Sequence, residues 1–218
     1  MDTVRADRVR SRRWTVRSER TAAFSDAVIA IAITVMVLEL PKPDGPTLAA
    51  LRADVPVLLA YVLSFVYLGI YWNNHHQMLA AVSRVNGSVL WANLHLLFWL
   101  TLVPFTTAWM SEQDFAPVPV AAYGVVLLAN ALAYMLLQSR LLRAQGGRSS
   151  LHRALGRDLK GKLSPFLYVA GILLTLVQPW MGITVYVVVA LIWLIPDARI
   201  ERQLARDGAA VPDVSTTD

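Results

Sequence analysis

Arg20 to Leu40 reads RTAAFSDAVIAIAITVMVLEL, an apolar stretch with an arginine and Asp26 at its mouth. Such a segment is a membrane helix with a polar device at one end. Ionisable groups at the edge of a hydrocarbon span are costly to place, so they mark an ion path, a proton relay or a network that locks helices together. Counting from Phe24 to Leu40, this is the first of six apolar runs. The others fall at about Val55 to Val82, Val89 to Met110, Val118 to Leu137, Leu163 to Val177 and Gly182 to Ile195. The expected fold is all-α, a polytopic membrane protein with six transmembrane helices. A span needs roughly 20 apolar residues, with roughly 17 as a working minimum. By that measure the second, third and fourth runs are long enough and the other three are short. Gln178-Pro179-Trp180-Met181-Gly182 brings a helix-ending proline and a glycine, which suits a tight hairpin between the last two helices. A single re-entrant pair is the alternative.

Composition agrees. Hydrophobic residues make up 56% of the 218, charged residues only 16%, and the mean hydropathy is +0.49, more than a soluble domain of this length needs for its core. One membrane domain, residues 20–200, is expected between a basic segment at 1–19 and a polar tail at 201–218, the latter disordered. With no cysteine there is no disulfide framework, thiolate nucleophile or cysteine metal site. No segment repeats, so the chain is a single unit.

Basic residues near span ends set orientation. Arg5, Arg8, Arg10, Arg12, Arg13, Arg17 and Arg20 precede the first run, and Arg84 follows the second. Arg140, Arg143, Arg148, Arg153, Arg157, Lys160 and Lys162 lie between the fourth and fifth, and Arg199, Arg202 and Arg206 follow the last. Six crossings put all of these on one side, against Lys42 and Arg52 beside Asp44 and Asp54, then Glu112 and Asp114, on the other. Both termini are therefore expected to be cytoplasmic. The pI of about 9.8 is explained by this topology and by anionic headgroups, so the bilayer, not nucleic acid, is the expected partner. Ser11-Arg12-Arg13-Trp14 resembles the start of a twin-arginine export signal, but the apolar run after it ends in Leu38-Glu39-Leu40-Pro41 with no small-residue cleavage site. The segment is expected to stay in the mature chain.

Ile31, Val35 and Leu38 share a face of the first helix, with Thr34 adjacent. Several copies meeting around an axis would turn them into rings of a hydrophobic constriction that gates by dewetting. A plain aliphatic packing stripe has the same periodicity.

Arg20-x-x-x-Phe24-Ser25-Asp26 opening the first helix, then Ala30-Ile31-x-x-Thr34-x-Met36-x-Leu38, Trp72-x-x-His75-His76, Trp91-x-Asn93-Leu94 and Pro104-Phe105 resemble the bacterial members of the transmembrane protein 175 potassium channels, whose eukaryotic relatives work in endosomes and lysosomes. The match covers about the first half of the chain. Later helices resemble the family only in number, length and loop charge. The resemblance implies a homotetramer in the bacterial plasma membrane, with six helices per subunit and the first helix of each lining a central pore. It carries the narrowest ring over to Ile31, five residues after the signature aspartate, and the next rings to Val35 and Leu38, with Thr34 supplying a hydroxyl nearby. It also implies a potassium-permeable cation channel without the Thr-Val-Gly-Tyr-Gly carbonyl filter, which this chain lacks, so potassium preference should be modest. No cofactor is implied beyond the permeant potassium ion.

Beside the resemblance, the donors of Arg20 and the acceptors of Asp26 can join Ser25 and polar groups on adjoining helices. Trp72, Asn73, His75, His76, Trp91 and Asn93 are the candidates. Such a network would fix the rotation of the first helix and so decide which face meets the pore. Asp26 as an ion-attracting charge at the entrance is the alternative. His75 and His76 point about 100° apart on a helix and do not suit one metal site, and His-Glu-x-x-His is absent. A haem or quinone held by His75 and His95 would need facing helices at matching depth. Glu39 at the outer end of the first helix either draws cations or is simply solvated. The tryptophans sit towards span ends as interfacial anchors, while Gly124, Ala129, Ala131 and Ala133 offer small surfaces for close packing and Asn130 a cross-helix donor. The reading is a passive cation channel and not an enzyme. Its rival is a proton- or ion-coupled secondary transporter using Asp26 or His75, which predicts an internal repeat with broken helices.

Overall fold

The computed structural model describes residues 15–82, 84–145 and 159–194. The arginines before residue 15, those at 148, 153 and 157, and the whole of 195–218 lie outside the described residues, as do the twin-arginine motif and the polar tail. Within them a two-stranded ribbon, β1 (Thr15–Arg17) with β2 (Arg84–Asn86), sits at one end of a helical bundle. The helices are α1 (Ser18–Leu38), α2 (Leu48–Ala53), α3 (Val55–Ala80), α4 (Gly87–Thr101), α5 (Val103–Glu112), α6 (Pro117–Gln145), α7 (Leu159–Thr175) and α8 (Pro179–Leu194).

Local chemistry sets most boundaries. Helix α1 stops at Glu39, two residues before Pro41, and α2 is capped by Thr47, whose hydroxyl accepts from the Ala50 amide at 3.2 Å. Proline falls at the first turn of α3 and of α5, where no intrahelical donor is lost. The Asn86 side chain accepts from the Val89 amide at 3.1 Å and starts α4. The third apolar run, expected as one helix, is broken at Leu102, because Pro104 has no N–H to give to the preceding turn. The Thr106 and Thr107 hydroxyls donate to carbonyls of the turn before them, Thr107 to Val103 O at 2.7 Å. After α5, Asp114 and Phe115 are both left-handed (φ 47° and 57°), and the Phe115 amide returns to Met110 O at 3.0 Å. This turn reverses the chain into α6.

Four segments are long and apolar enough to cross a membrane: α1, α3, the pair α4 and α5 together, and α6. The last two helices are shorter, 17 and 16 residues. They pack on each other through a turn at Leu176 to Gln178, with Pro179 opening α8. Close approach there requires glycine. A Cβ on Gly182 would overlap the Thr175 hydroxyl, and one on Gly124 of α6 would overlap the Tyr186 hydroxyl. Around this contact lies an aromatic core: Tyr67, Tyr123, Tyr168 and Tyr186 are all at most 2% exposed, and the Tyr67 hydroxyl donates to Tyr186 O at 2.6 Å. Helix α1 is not at the centre of this core. It runs antiparallel to α3 and alongside α4 and α5, packed on one side only.

Candidate pore face and its polar anchor

Helix α1 has two unlike faces. Ser18, Thr21, Ser25, Ile29, Ala32 and Met36 recur at three- and four-residue steps and are buried against the bundle. Turned away from it are Phe24, Ile31, Val35 and Leu38, exposed by 53, 62, 38 and 79%, with Thr34 also exposed. Among the described residues nothing covers this face. The Thr34 hydroxyl donates to Ile31 O at 2.9 Å, which leaves its oxygen free to accept.

The buried face carries a directional hydrogen-bond chain. Ser25 Oγ donates to Thr21 O at 2.8 Å and accepts from Asn93 Nδ2 at 2.9 Å. Asn93 Oδ1 must then be the acceptor in its 2.7 Å bond to His75 Nε2, so the imidazole proton sits on Nε2 and His75 is the donor. Three helices, α1, α3 and α4, are tied by this one string. Ser25, His75 and Asn93 are at most 2% exposed, so each bond is made in a medium where losing it is expensive. Among the described residues His75 Nδ1 has no hydrogen-bond partner.

A second tie lies nearer the surface. Asp26 Oδ1 accepts from Trp72 Nε1 at 3.0 Å, and Asp26 Oδ2 faces His76 Nδ1 at 4.0 Å, the Trp72 and His76 rings lying 5.9 Å apart. The two neighbouring histidines thus serve different partners.

The structure therefore brings together Ser25, Asp26, Trp72, His75, His76 and Asn93, and it leaves four of the sequence-selected residues outside. Arg20 is exposed, with no hydrogen bond or ion pair among the described residues. Six residues on a helix put it about 120° around the axis from Asp26 and about 9 Å along it, so the two cannot meet within one chain. Asn73 accepts only from Gln77 at 3.2 Å on an exposed surface. Phe24 and Trp91 (76%) are exposed. His95 is exposed and lies edge-on to Trp99, so it does not converge with His75 on a cofactor. Among the described residues no group of three or more His, Asp or Glu could hold a metal. Thr21, which the sequence analysis passed over, supplies the carbonyl that ends the string. A further polar knot was also missed: Ser64 Oγ with Thr107 Oγ1 at 2.7 Å and with the Tyr123 hydroxyl at 3.0 Å. Its only signal was polar residues inside apolar runs. At the other end of α1, Glu39 and Glu112 line one cavity of about 280 Å³ with Tyr61, Thr107 and Ser111. Asn130 donates to Val126 O at 3.0 Å and reaches across to Trp99 O at 3.4 Å.

The chain is 50% identical over 185 residues to a potassium channel of Chryseobacterium sp., covering 85% of this chain and 96% of that relative. The family model described as the endosomal/lysosomal potassium channel TMEM175 matches residues 20–104. The chain belongs to the TMEM175 family. The TMEM175 match spans every residue of the hydrogen-bond string and of the exposed α1 face. A potassium channel of Chamaesiphon minutus is 30% identical over 187 residues, 79% of this chain and 91% of that one. The crystal structure of a lysosomal potassium-selective channel TMEM175 homologue from the same organism superposes with a TM-score of 0.71 at 28% identity, covering 82% of this chain and 96% of that one. Like its TMEM175 relatives, the chain is a multi-pass membrane protein of a channel family and not an enzyme.

Proposed function

We propose that this chain is one subunit of a homotetrameric, potassium-permeable cation channel, embedded by six helices in a bacterial plasma membrane with both termini in the cytoplasm. The observation that carries the reading is the uncovered face of α1. Its apolar side chains at Ile31, Val35 and Leu38 stand away from the subunit's own core, while the opposite face is held by buried hydrogen bonds. Four such faces around an axis would enclose a narrow apolar passage. Ile31 forms the tightest ring, Val35 and Leu38 the rings beyond it, and Thr34 places oxygen beside the constriction. Relatives named as potassium channels support potassium as the permeant ion. Ions pass by electrodiffusion, and dewetting between the rings closes the path. No carbonyl ring replaces the hydration shell, so discrimination against sodium is modest. The channel needs no cofactor.

In this reading Ser25, Asp26, Trp72, His75, His76 and Asn93 set the rotation of α1, and Asp26 acts by positioning, since its carboxylate is taken by Trp72 and His76. The burial of His75 behind Asn93 gives a coupled transporter no water-accessible proton site there.

The test is potassium flux into proteoliposomes at a fixed potential, comparing the native chain with Ile31→Asn and sodium with potassium. The polar substitution should wet the ring, raise flux and narrow the difference between the two ions. Unchanged flux and preference from folded Ile31→Asn protein would remove Ile31 from the pore.

A further inference from the structure

The ribbon at the end of the bundle pairs Arg17 with Arg84 directly across two antiparallel strands, in the register Thr15 with Asn86, Val16 with Val85 and Arg17 with Arg84. Residues opposite one another in such a pair lie on the same face with Cβ atoms about 4.5–5.5 Å apart, and like charges placed there repel. Val85 is buried at 1% and both arginines are exposed, so the strand alternation turns the two guanidinium groups outward together. Among the described residues no carboxylate pairs with either of them. Glu19 is the nearest carboxylate in sequence, and no ion pair joins it to either arginine, while the Asp26 carboxylate faces His76. Arg20, also exposed and unpaired, follows one turn into α1. Arg17 is itself the residue before the first turn of α1, whose amides receive no side-chain cap.

Position supplies the counter-charge. Arg17 immediately precedes the membrane span α1, and Arg84 lies between the spans α3 and α4, which puts the pair at the depth where lipid phosphates lie. We propose that Arg17 and Arg84 form a clamp for the phosphate of an anionic phospholipid, with Arg20 beside it. Each guanidinium offers parallel N–H donors to phosphate oxygens, and a bound phosphate converts the cross-strand repulsion into two attractions. The lipid then completes the ribbon and holds the start of α1 at the interface. The membrane face of this site depends on the spans alone, not on what the channel conducts.

The measurement is thermal unfolding of the full chain in a maltoside detergent, with phosphatidylglycerol or phosphatidylcholine added at the same ratio, together with lipid retention in native mass spectrometry. Native protein should melt higher with phosphatidylglycerol and retain it over phosphatidylcholine. Arg17→Gln and Arg84→Gln should each weaken phosphatidylglycerol binding about five-fold, and the double variant should lose the preference. Arg52→Gln, in α2, should keep it. In lipid-free detergent the double variant should melt no lower than the native chain, since the repulsion is gone. Equal stabilisation by the two lipids, a native preference in the double variant, or a double variant that melts lower without lipid would each overturn the clamp. Inorganic phosphate reproducing the whole phosphatidylglycerol effect would also overturn it, by showing a free-anion site and not a lipid site.

Discussion

Ser25 occupies the middle of a string in which every hydrogen has an assigned direction, so changes along it should not be equivalent. Ser25→Ala removes the acceptor for Asn93 Nδ2 and leaves a buried amide donor, a loss of about 1–3 kcal/mol. It should appear as a lower melting temperature in detergent. Asp26 differs because its one hydrogen-bond donor is the Trp72 indole N–H, with His76 facing it at 4.0 Å. Asp26→Asn keeps an acceptor for Trp72 and should be mild, whereas Asp26→Ala strands that donor. If Asp26 positions α1, size-exclusion profiles of Asp26→Ala should show less assembled protein while the unitary current of what does assemble is unchanged. A stable assembly with altered current would put Asp26 in the ion path. At this scale the sequence was informative about which polar residues cluster around the start of α1, because polar groups at the mouth of an apolar run are conspicuous. It was less so about who meets whom. Arg20 and Asp26 look like a pair on the page, and the 3.6-residue helical turn separates them.

Helices α6, α7 and α8 owe their closeness to small side chains. Gly182→Ala should push a methyl into Thr175, and Gly124→Ala into Tyr186, each an overpacking loss of about 1–3 kcal/mol read as a lower melting temperature. Gly69→Ala in α3 meets nothing within 4 Å and should cost no stability, which makes it the control. The apolar runs announced every long helix. The break at Leu102 was less visible, since Pro104 lies inside a run that hydropathy alone treats as continuous. The ribbon was invisible for a different reason: two strands of three residues each are too short for an alternation pattern to register, and their pairing is settled only when the spans on either side have packed.

For the whole molecule, the exposed face of α1 makes a claim about assembly. Light scattering of the detergent-solubilised protein should give a protein mass of about 96 kDa, four times the 24.1 kDa chain; a monomer would leave that face to lipid. The absence of cysteine allows a clean accessibility test. A thiol-reactive reagent should block potassium flux through Leu38→Cys and leave Met36→Cys untouched, because Met36 is 3% exposed and Leu38 79%. Equal labelling of both would mean that α1 is rotated from its described orientation. The order of the apolar helices was legible from hydropathy, but the number of copies was not, since a chain's own pattern does not count its partners.

The ribbon also has a mechanical meaning. Its first strand runs without interruption into α1, and its second is the link between α3 and α4, while the Ser18 hydroxyl is bonded to Val82 O at the same junction. Helix α1 is thus welded at one end to the link between α3 and α4, while its other end is held by side-chain packing around Met36 and leads through Glu39 into a loop holding Pro41, Pro43 and Pro46. A rod fixed in this way resists twisting about its own axis, because rotation would have to peel one strand from the other. It yields more readily to swinging about its clamped foot. Movement of α1 should therefore be small near Ser25 and grow towards Leu38, the end farthest from the weld.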